Sequence, residues 1–137
     1  MTSRRPRDQA GVAAVFFVFV AMAMVAVAGL VIDGGYAMAA KRTCQQQAEQ
    51  AARAGADALN QGGLRDGTDT VNPQAAAAAA HAFLTGVGAH GTVTINGRTV
   101  TVTVTTREPT KILSAVGVDS LGVSETASAR SISDETR

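Results

Sequence analysis

Ala10-Gly11-Val12-Ala13-Ala14-Val15-Phe16-Phe17-Val18-Phe19-Val20-Ala21-Met22-Ala23-Met24-Val25-Ala26-Val27-Ala28-Gly29-Leu30-Val31-Ile32 is a 23-residue run with no charge and no strongly polar side chain. At a helical rise of about 1.5 Å per residue it spans about 34 Å, enough to cross the hydrocarbon core of a bilayer. An unpaired backbone amide in hydrocarbon costs several kcal/mol, so the run is expected to be a helix. Arg4, Arg5 and Arg7 stand just before it, whereas on the far side Asp33 comes first and Lys41 and Arg42 follow two turns later. The positive-inside bias then places the N-terminus in the cytoplasm and exports the rest.

The whole chain has 137 residues, 46% of them apolar but only 4% aromatic, with no Trp. Ala fills 27 positions, so what lies outside the apolar run must pack with small side chains. That excludes a large enzyme core. Twelve Lys and Arg against eleven Asp and Glu leave no basic surface for phosphate neutralisation, so no nucleic-acid partner is expected. One Cys and two His exclude a disulfide framework and a metal cage built from His and Cys alone.

A cleaved signal peptide is the rival reading of the apolar run, because Ala37-Met38-Ala39 has the small-x-small form of a cleavage site. A signal core is roughly 7 to 15 residues, shorter than this one, and helix-forming sequence surrounds the site where a peptidase needs an extended chain. Retention as an anchor is the preferred expectation.

Good helix formers continue from Tyr36 to Leu59, so the membrane helix is expected to run outward as one rod. Tyr36, Ala40, Cys44, Ala48, Ala51, Gly55 and Ala58 recur at spacings of three or four, with Lys41, Arg42, Gln45, Glu49, Arg53 and Asp57 between them. This stripe is small and invites close approach of another backbone. Two uses remain open: the inner face of the exported domain, or a contact between subunits in a homo-oligomer or with another protein. Asp33, Gly34, Tyr36, Ala40, Cys44, Ala48, Ala51, Ala52 and Gly55 are the candidate packing or partner residues. Asp33 reads as a solvated residue at the membrane exit, with Lys41 or a partner's basic group as its candidate counter-charge. Cys44 reads as a small packed side chain, with a thiol cross-link between chains as the alternative.

Gly62-Gly63 and Asp66-Gly67-Thr68-Asp69 mark a loop, and Asn72-Pro73 opens a second helix to about Leu84, ended by Gly86 and Gly88. His81 and His90 have no third ligand residue at metal spacing. From Gly91 to Thr105, valine and isoleucine alternate with threonine around Asn96-Gly97, which predicts a β-hairpin with Asn-Gly at its turn and the apolar residues on one face. Pro109 opens a short helix through Ile112, Leu113 and Val116, closed by Gly117, and Leu121, Val123, Ala127 and Ala129 alternate as a third strand. The sheet needs cover, and either the alanine stripe or the stretch with Phe83 and Leu84 can supply it.

The fold class expected is α+β: residues 1–9 a cytoplasmic basic tail, 10–32 the transmembrane helix, 33–60 its extracytoplasmic continuation, 61–130 a small cap, and 131–137 a flexible tail. Paired carboxylates on apolar ground, a nucleophile beside a His and a phosphate-binding Gly loop are all missing from the sequence, so no catalytic residue, cofactor or metal is expected.

With these residues laid out, the chain resembles the TadE/TadG-like proteins of the tight-adherence (Flp) pilus system over roughly residues 8 to 130. Gly11-Val12-Ala13-Ala14-Val15 opens the span in the family's manner. Asp33-Gly34-Gly35, Ala39-Ala40-Lys41-Arg42, Gln45, Ala48-Glu49 and Ala51-Ala52-Arg53-Ala54-Gly55-Ala56 are similar to its long-helix signature. Val102-Thr103-Val104, Pro109-Thr110, Leu113, Val116-Gly117-Val118 and Val123 to Ala129 resemble its terminal strand, short helix and last strand. Prepilin-type members carry Glu five residues after the processing Gly, where this chain has Phe16, so it looks closer to the TadG-like members that stay anchored. A processed minor pilin would instead start at Val12. The resemblance implies a single-pass protein of the bacterial cytoplasmic membrane, with an exported C-terminal domain and other pilus or secretion-system proteins as partners.

Overall fold

The computed structural model describes residues 8–66 and 71–131. Arg4, Arg5 and Arg7, positions 67–70 of the expected loop and positions 132–137 of the C-terminal tail lie outside the described residues. The chain is α+β, with a long helix, a short helix and one antiparallel sheet.

Helix α1 runs without interruption over Asp8–Asp66, 59 residues or about 88 Å. It passes through Gly62-Gly63, where the sequence predicts a loop. An internal Gly costs only about 1 kcal/mol relative to Ala, and a nucleated helix adds residues cheaply, so two glycines near its end do not stop it. Helix α2 spans Pro73–Gly86. Asn72 caps it, its side chain accepting from the Ala75 N–H at 3.1 Å, with Pro73 in the first turn. At the other end the Val87 and Gly88 N–H groups donate to the carbonyls of Phe83 and Thr85, and Gly88 turns the chain at φ +66°.

Strands β1 (His90–Asn96), β2 (Thr99–Pro109) and β3 (Ser120–Arg130) form a sheet in the order β1-β2-β3, and a 3-10 turn over Leu113–Val116 joins the last two. The hairpin turn departs from expectation by one position. Asn96 pairs with Thr99, so the two turn residues are Gly97-Arg98, not Asn96-Gly97. Only Gly97 takes positive φ, at +57°, which is the Gly-first form of a two-residue turn. Moving the turn by one residue moves the pairing by two, so the faces survive: Val93 pairs with Val102 and Ile95 with Val100.

Val100, Val102 and Val104 of the central strand are fully buried, each contributing roughly 1.5–3 kcal/mol of apolar transfer. Ala129, Ala127 and Glu125 of β3 sit opposite them on the same face. The other face is wet, with side-chain hydrogen bonds of 2.8 Å joining Thr101 to Ser128 and Thr103 to Thr126.

Both candidate covers are used. Helix α1 lies across β2 and β3, while α2 packs against α1 and β1. Gly55 is where three elements meet: a Cβ there would stand 2.9 Å from Val100 Cγ1 and 3.1 Å from the Ala76 carbonyl of α2. At Gly91 a Cβ would stand 2.5 Å from the Thr103 carbonyl and 3.2 Å from Leu84 of α2.

Strand β2 runs back along α1 toward its N-terminal half. Val100 sits at Gly55, Val104 shares a groove with Cys44, and Lys111, just past the strand, hydrogen-bonds Asp33. From Gly55 back to Asp33 the helix covers about 33 Å, and from Val100 to Lys111 an extended chain covers about 36 Å. The two lengths match, which is why the sheet ends where the apolar run begins.

Candidate functional site

Asp33 is the first charged residue after the apolar run, and the structure buries it, 2% exposed. The expectation of a solvated residue, or of a pair with Lys41, is overturned. Its carboxylate accepts from three successive backbone N–H groups: Lys111 at 2.8 Å and Ile112 at 3.4 Å on Oδ1, and Ile112 at 3.0 Å and Leu113 at 2.7 Å on Oδ2. Those amides open the 3-10 turn and have no partner within it, so a carboxylate is the acceptor that fits them. Burial raises the Asp33 carboxyl, but the hydrogen bonds from Leu113, Lys111 and Ile112, helped by the Lys111 charge, leave it below its ordinary value of 3.8.

One helical turn earlier, Gly29 is buried beneath Ile112, and a Cβ there would lie 2.5 Å from Ile112 Cγ2. Gly29 and Asp33 thus form a seat on one face of α1, a flat spot and then a carboxylate, that holds the turn after β2 against the helix. Thr110 fastens the turn's base, its N–H donating to the Asp119 carbonyl and its hydroxyl to the Val118 carbonyl.

Further out the stripe faces inward. Cys44, Ala48, Ala51, Ala52 and Gly55 are buried together with Ala56 and Leu59 against the sheet and α2. Ala40 is half-buried at the edge of the groove that Cys44 and Val104 share. Gly34 is half-buried with nothing near the position of a Cβ, and Tyr36 is exposed at the rim of the same groove. Lys41 reaches Glu125 of β3 at 3.4 Å. Burial pushes the Cys44 thiol up and the Glu125 charge adds to it, which disfavours the reactive thiolate. His81 and His90 are both exposed.

Gly29 and the three turn amides are not among the candidate residues that the sequence offers, and Ile112 is read there only as part of the short helix. A lone carboxylate closing a long apolar run was the available signal, but its partners are backbone groups 78 to 80 residues away, which no side-chain pattern reports.

This helix is the part that matches a known family. The sequence model of the Tad family, described as "Putative Flp pilus-assembly TadE/G-like", matches residues 11–58. The matched segment takes in the apolar run, the Gly29–Asp33 seat and nearly all of the buried stripe, and stops short of α2 and the sheet. No curated protein and no solved structure matches the chain.

Proposed function

We propose that the chain is a non-catalytic, single-pass membrane component of a Tad/Flp-type pilus assembly or secretion system. The observation that carries this reading is the Tad match over residues 11–58, the segment in which one helix changes from an uncovered apolar surface to a covered small-residue face. Residues 1–9 form the cytoplasmic tail, with Arg4, Arg5 and Arg7 fixing orientation; 10–32 cross the cytoplasmic membrane; 33–60 continue outside it; 61–130 are the cap, followed by a short tail. Phe16 at the position of the prepilin Glu favours a TadG-like protein that keeps its anchor. An unbroken helix through Ala37-Met38-Ala39 also favours retention, because a peptidase needs extended chain there.

With Cys44 to Gly55 occupied by the molecule's own sheet, partners meet the exposed apolar flank of the span, including Phe16, Phe17 and Phe19, and the outer surface of the cap. The test is expression of the full chain together with the other proteins of such a system, then membrane extraction, co-purification and intact mass. An unprocessed chain that resists carbonate extraction and co-purifies with pilus proteins is the expected result. A soluble product starting at Ala40 would identify a secreted domain instead, and a start at Val12 a processed minor pilin.

A further inference from the structure

The 3-10 turn does not stand clear of the apolar helix. Ile112, Leu113 and Ala115 line one apolar groove with Met22, Val25 and Ala26, residues within the run assigned to the membrane. Twenty residues of helix from Ala10 cross about 30 Å and reach Gly29, so Val25 lies about 6 Å and Met22 about 11 Å inside the hydrocarbon boundary on the exported side. A turn that rests on Gly29 through Ile112 and faces them across one groove lies at a similar depth.

We propose that the segment between Lys111 and Asp119 is inserted into the lipid of the leaflet from which α1 emerges, as a second membrane contact; this rests on the reading of residues 10–32 as the anchor. Its sequence, Ile112-Leu113-Ser114-Ala115-Val116-Gly117-Val118, carries no charge, and the charges that bracket it, Lys111 and Asp119, are exposed. Ala115 is exposed and Val118 is 40% exposed, apolar surface that water gains nothing by wetting.

The backbone supports the same placement. Non-helical chain survives at membrane depth only where its polar groups are paired. Thr110 N–H donates to the Asp119 carbonyl, those of Lys111, Ile112 and Leu113 to Asp33, and those of Ala115, Gly117 and Val118 to the carbonyls of Ile112, Ser114 and Leu113. The Ser114 hydroxyl donates to the Lys111 carbonyl. A surface turn in water has no need of an acidic side chain from 78 residues away to satisfy its amides. Asp33 therefore satisfies the turn's leading amides at the lipid boundary, so that the turn can dip below it without unpaired donors there.

The experiment uses the full chain, Cys44→Ala to remove the native thiol, in vesicles of phosphatidylcholine and phosphatidylglycerol containing acyl-chain spin-labelled lipid as quencher. An environment-sensitive fluorophore is attached in separate variants at Phe19→Cys in the span, Ala115→Cys in the turn and Thr94→Cys on the exposed face of β1. Ser114→Cys repeats the turn position should Ala115→Cys fold poorly. The expected result is a loss of emission at Ala115 comparable with that at Phe19, with Thr94 unquenched. Quenching at Phe19 without quenching at the turn overturns the insertion and leaves the anchor standing. An unquenched Phe19 overturns both, and quenching of Thr94 equal to that of Ala115 overturns insertion by showing the whole cap lying on the bilayer.

Discussion

The two halves of α1 bury opposite kinds of surface with one backbone. In the first half the large side chains face outward, Phe16 at 63% and Phe19 at 68% exposed, and the helix is covered by its own chain chiefly at Gly29. In the second half Ala48 and Ala51 are at 0%, and from Lys41 onward the long side chains pointing away are charged or polar. A helix in lipid gains by presenting bulk to acyl chains, whereas one under a sheet gains by letting the sheet come close. Large residues in the second half would hold the valines of β2 away, and polar ones in the first half would remove the apolar surface that suits a bilayer. The change of rule happens over one turn, from Gly29 to Asp33, where the structure places its only buried carboxylate among the described residues.

The harshest way to break that contrast is to put a span-type residue into the covered half. Gly55→Leu would force a side chain into space already held by Val100 and the Ala76 carbonyl. Overpacking of this kind costs about 1–3 kcal/mol where neighbours can yield, and here the Ala76 carbonyl and the Ala80 Cβ are fixed by the backbone of α2, so the loss should reach or exceed about 3 kcal/mol. Thermal unfolding of the cap in detergent should show it. The same replacement at Gly11, where nothing stands within 4 Å of a Cβ, should leave cap stability unchanged. Equal effects at the two glycines would dissolve the distinction between the halves.

Next in size is the junction itself. Asp33→Ala leaves the Lys111, Ile112 and Leu113 amides without an acceptor, and their hydrogen exchange should rise to that of an open turn while the β2–β3 ladder stays protected. Asp33→Asn keeps one acceptor oxygen and should fall between. The pH dependence has a definite sign: the folded carboxyl titrates below 3.8, so its stabilisation is complete above that value and is lost as pH falls through the depressed pKa. Amide protection at the turn should hold from neutrality down to the ordinary carboxyl value of 3.8 and fail only at more acid pH. Loss already near pH 6 would assign the contact to some other group.

How much of this was legible in the sequence follows from what each interaction leaves behind in residue types. The long helix and the alternating strands announce themselves by period, because burial on one face selects side chains at fixed spacing. The short helix expected to open at Pro109 does not start there: Pro109 ends β2, and the 3-10 turn begins at Leu113. The hairpin turn is displaced by one residue because Asn96-Gly97 and Gly97-Arg98 both place Gly97 in a two-residue turn, and the pairing of Asn96 with Thr99 selects the second. The choice of cover for the sheet is not legible, since the small stripe of α1 and the stretch with Phe83 and Leu84 each suit an apolar face, and the structure uses both. The Asp33 seat was missed because its partners are amides, which every residue but proline carries.

A milder loss is expected in the core the second half covers. Val102→Ala removes two methyl groups at a fully buried site, about 1.6 kcal/mol of transfer plus a cavity term, so about 2–3 kcal/mol in all. Denaturant unfolding of the cap should shift its midpoint accordingly, while Val31→Ala, 70% exposed in the apolar half, should leave that midpoint in place.

The smallest effect sharpens the comparison at its polar edge. Lys41 lies just beyond the junction, its side chain 54% exposed, and spans to Glu125, which faces inward from the edge strand at 21%. A Glu on the inner face breaks the apolar pattern of β3, and its charge is felt at Cys44 of the helix stripe. The ion pair neutralises the edge of the sheet at the place where the helix has stopped supplying bulk, but it is open to water and salt. Lys41→Ala should therefore cost no more than about 1 kcal/mol, and less as ionic strength rises. Glu125→Leu removes the inward charge altogether and should be neutral or stabilising, because an apolar side chain there extends the face that Val104 and Ala127 share. Should Glu125→Leu instead destabilise the cap as strongly as Val102→Ala, the outer half of α1 would have to be regarded as held partly by charge, and the division into bulk against lipid and closeness under the sheet would be incomplete.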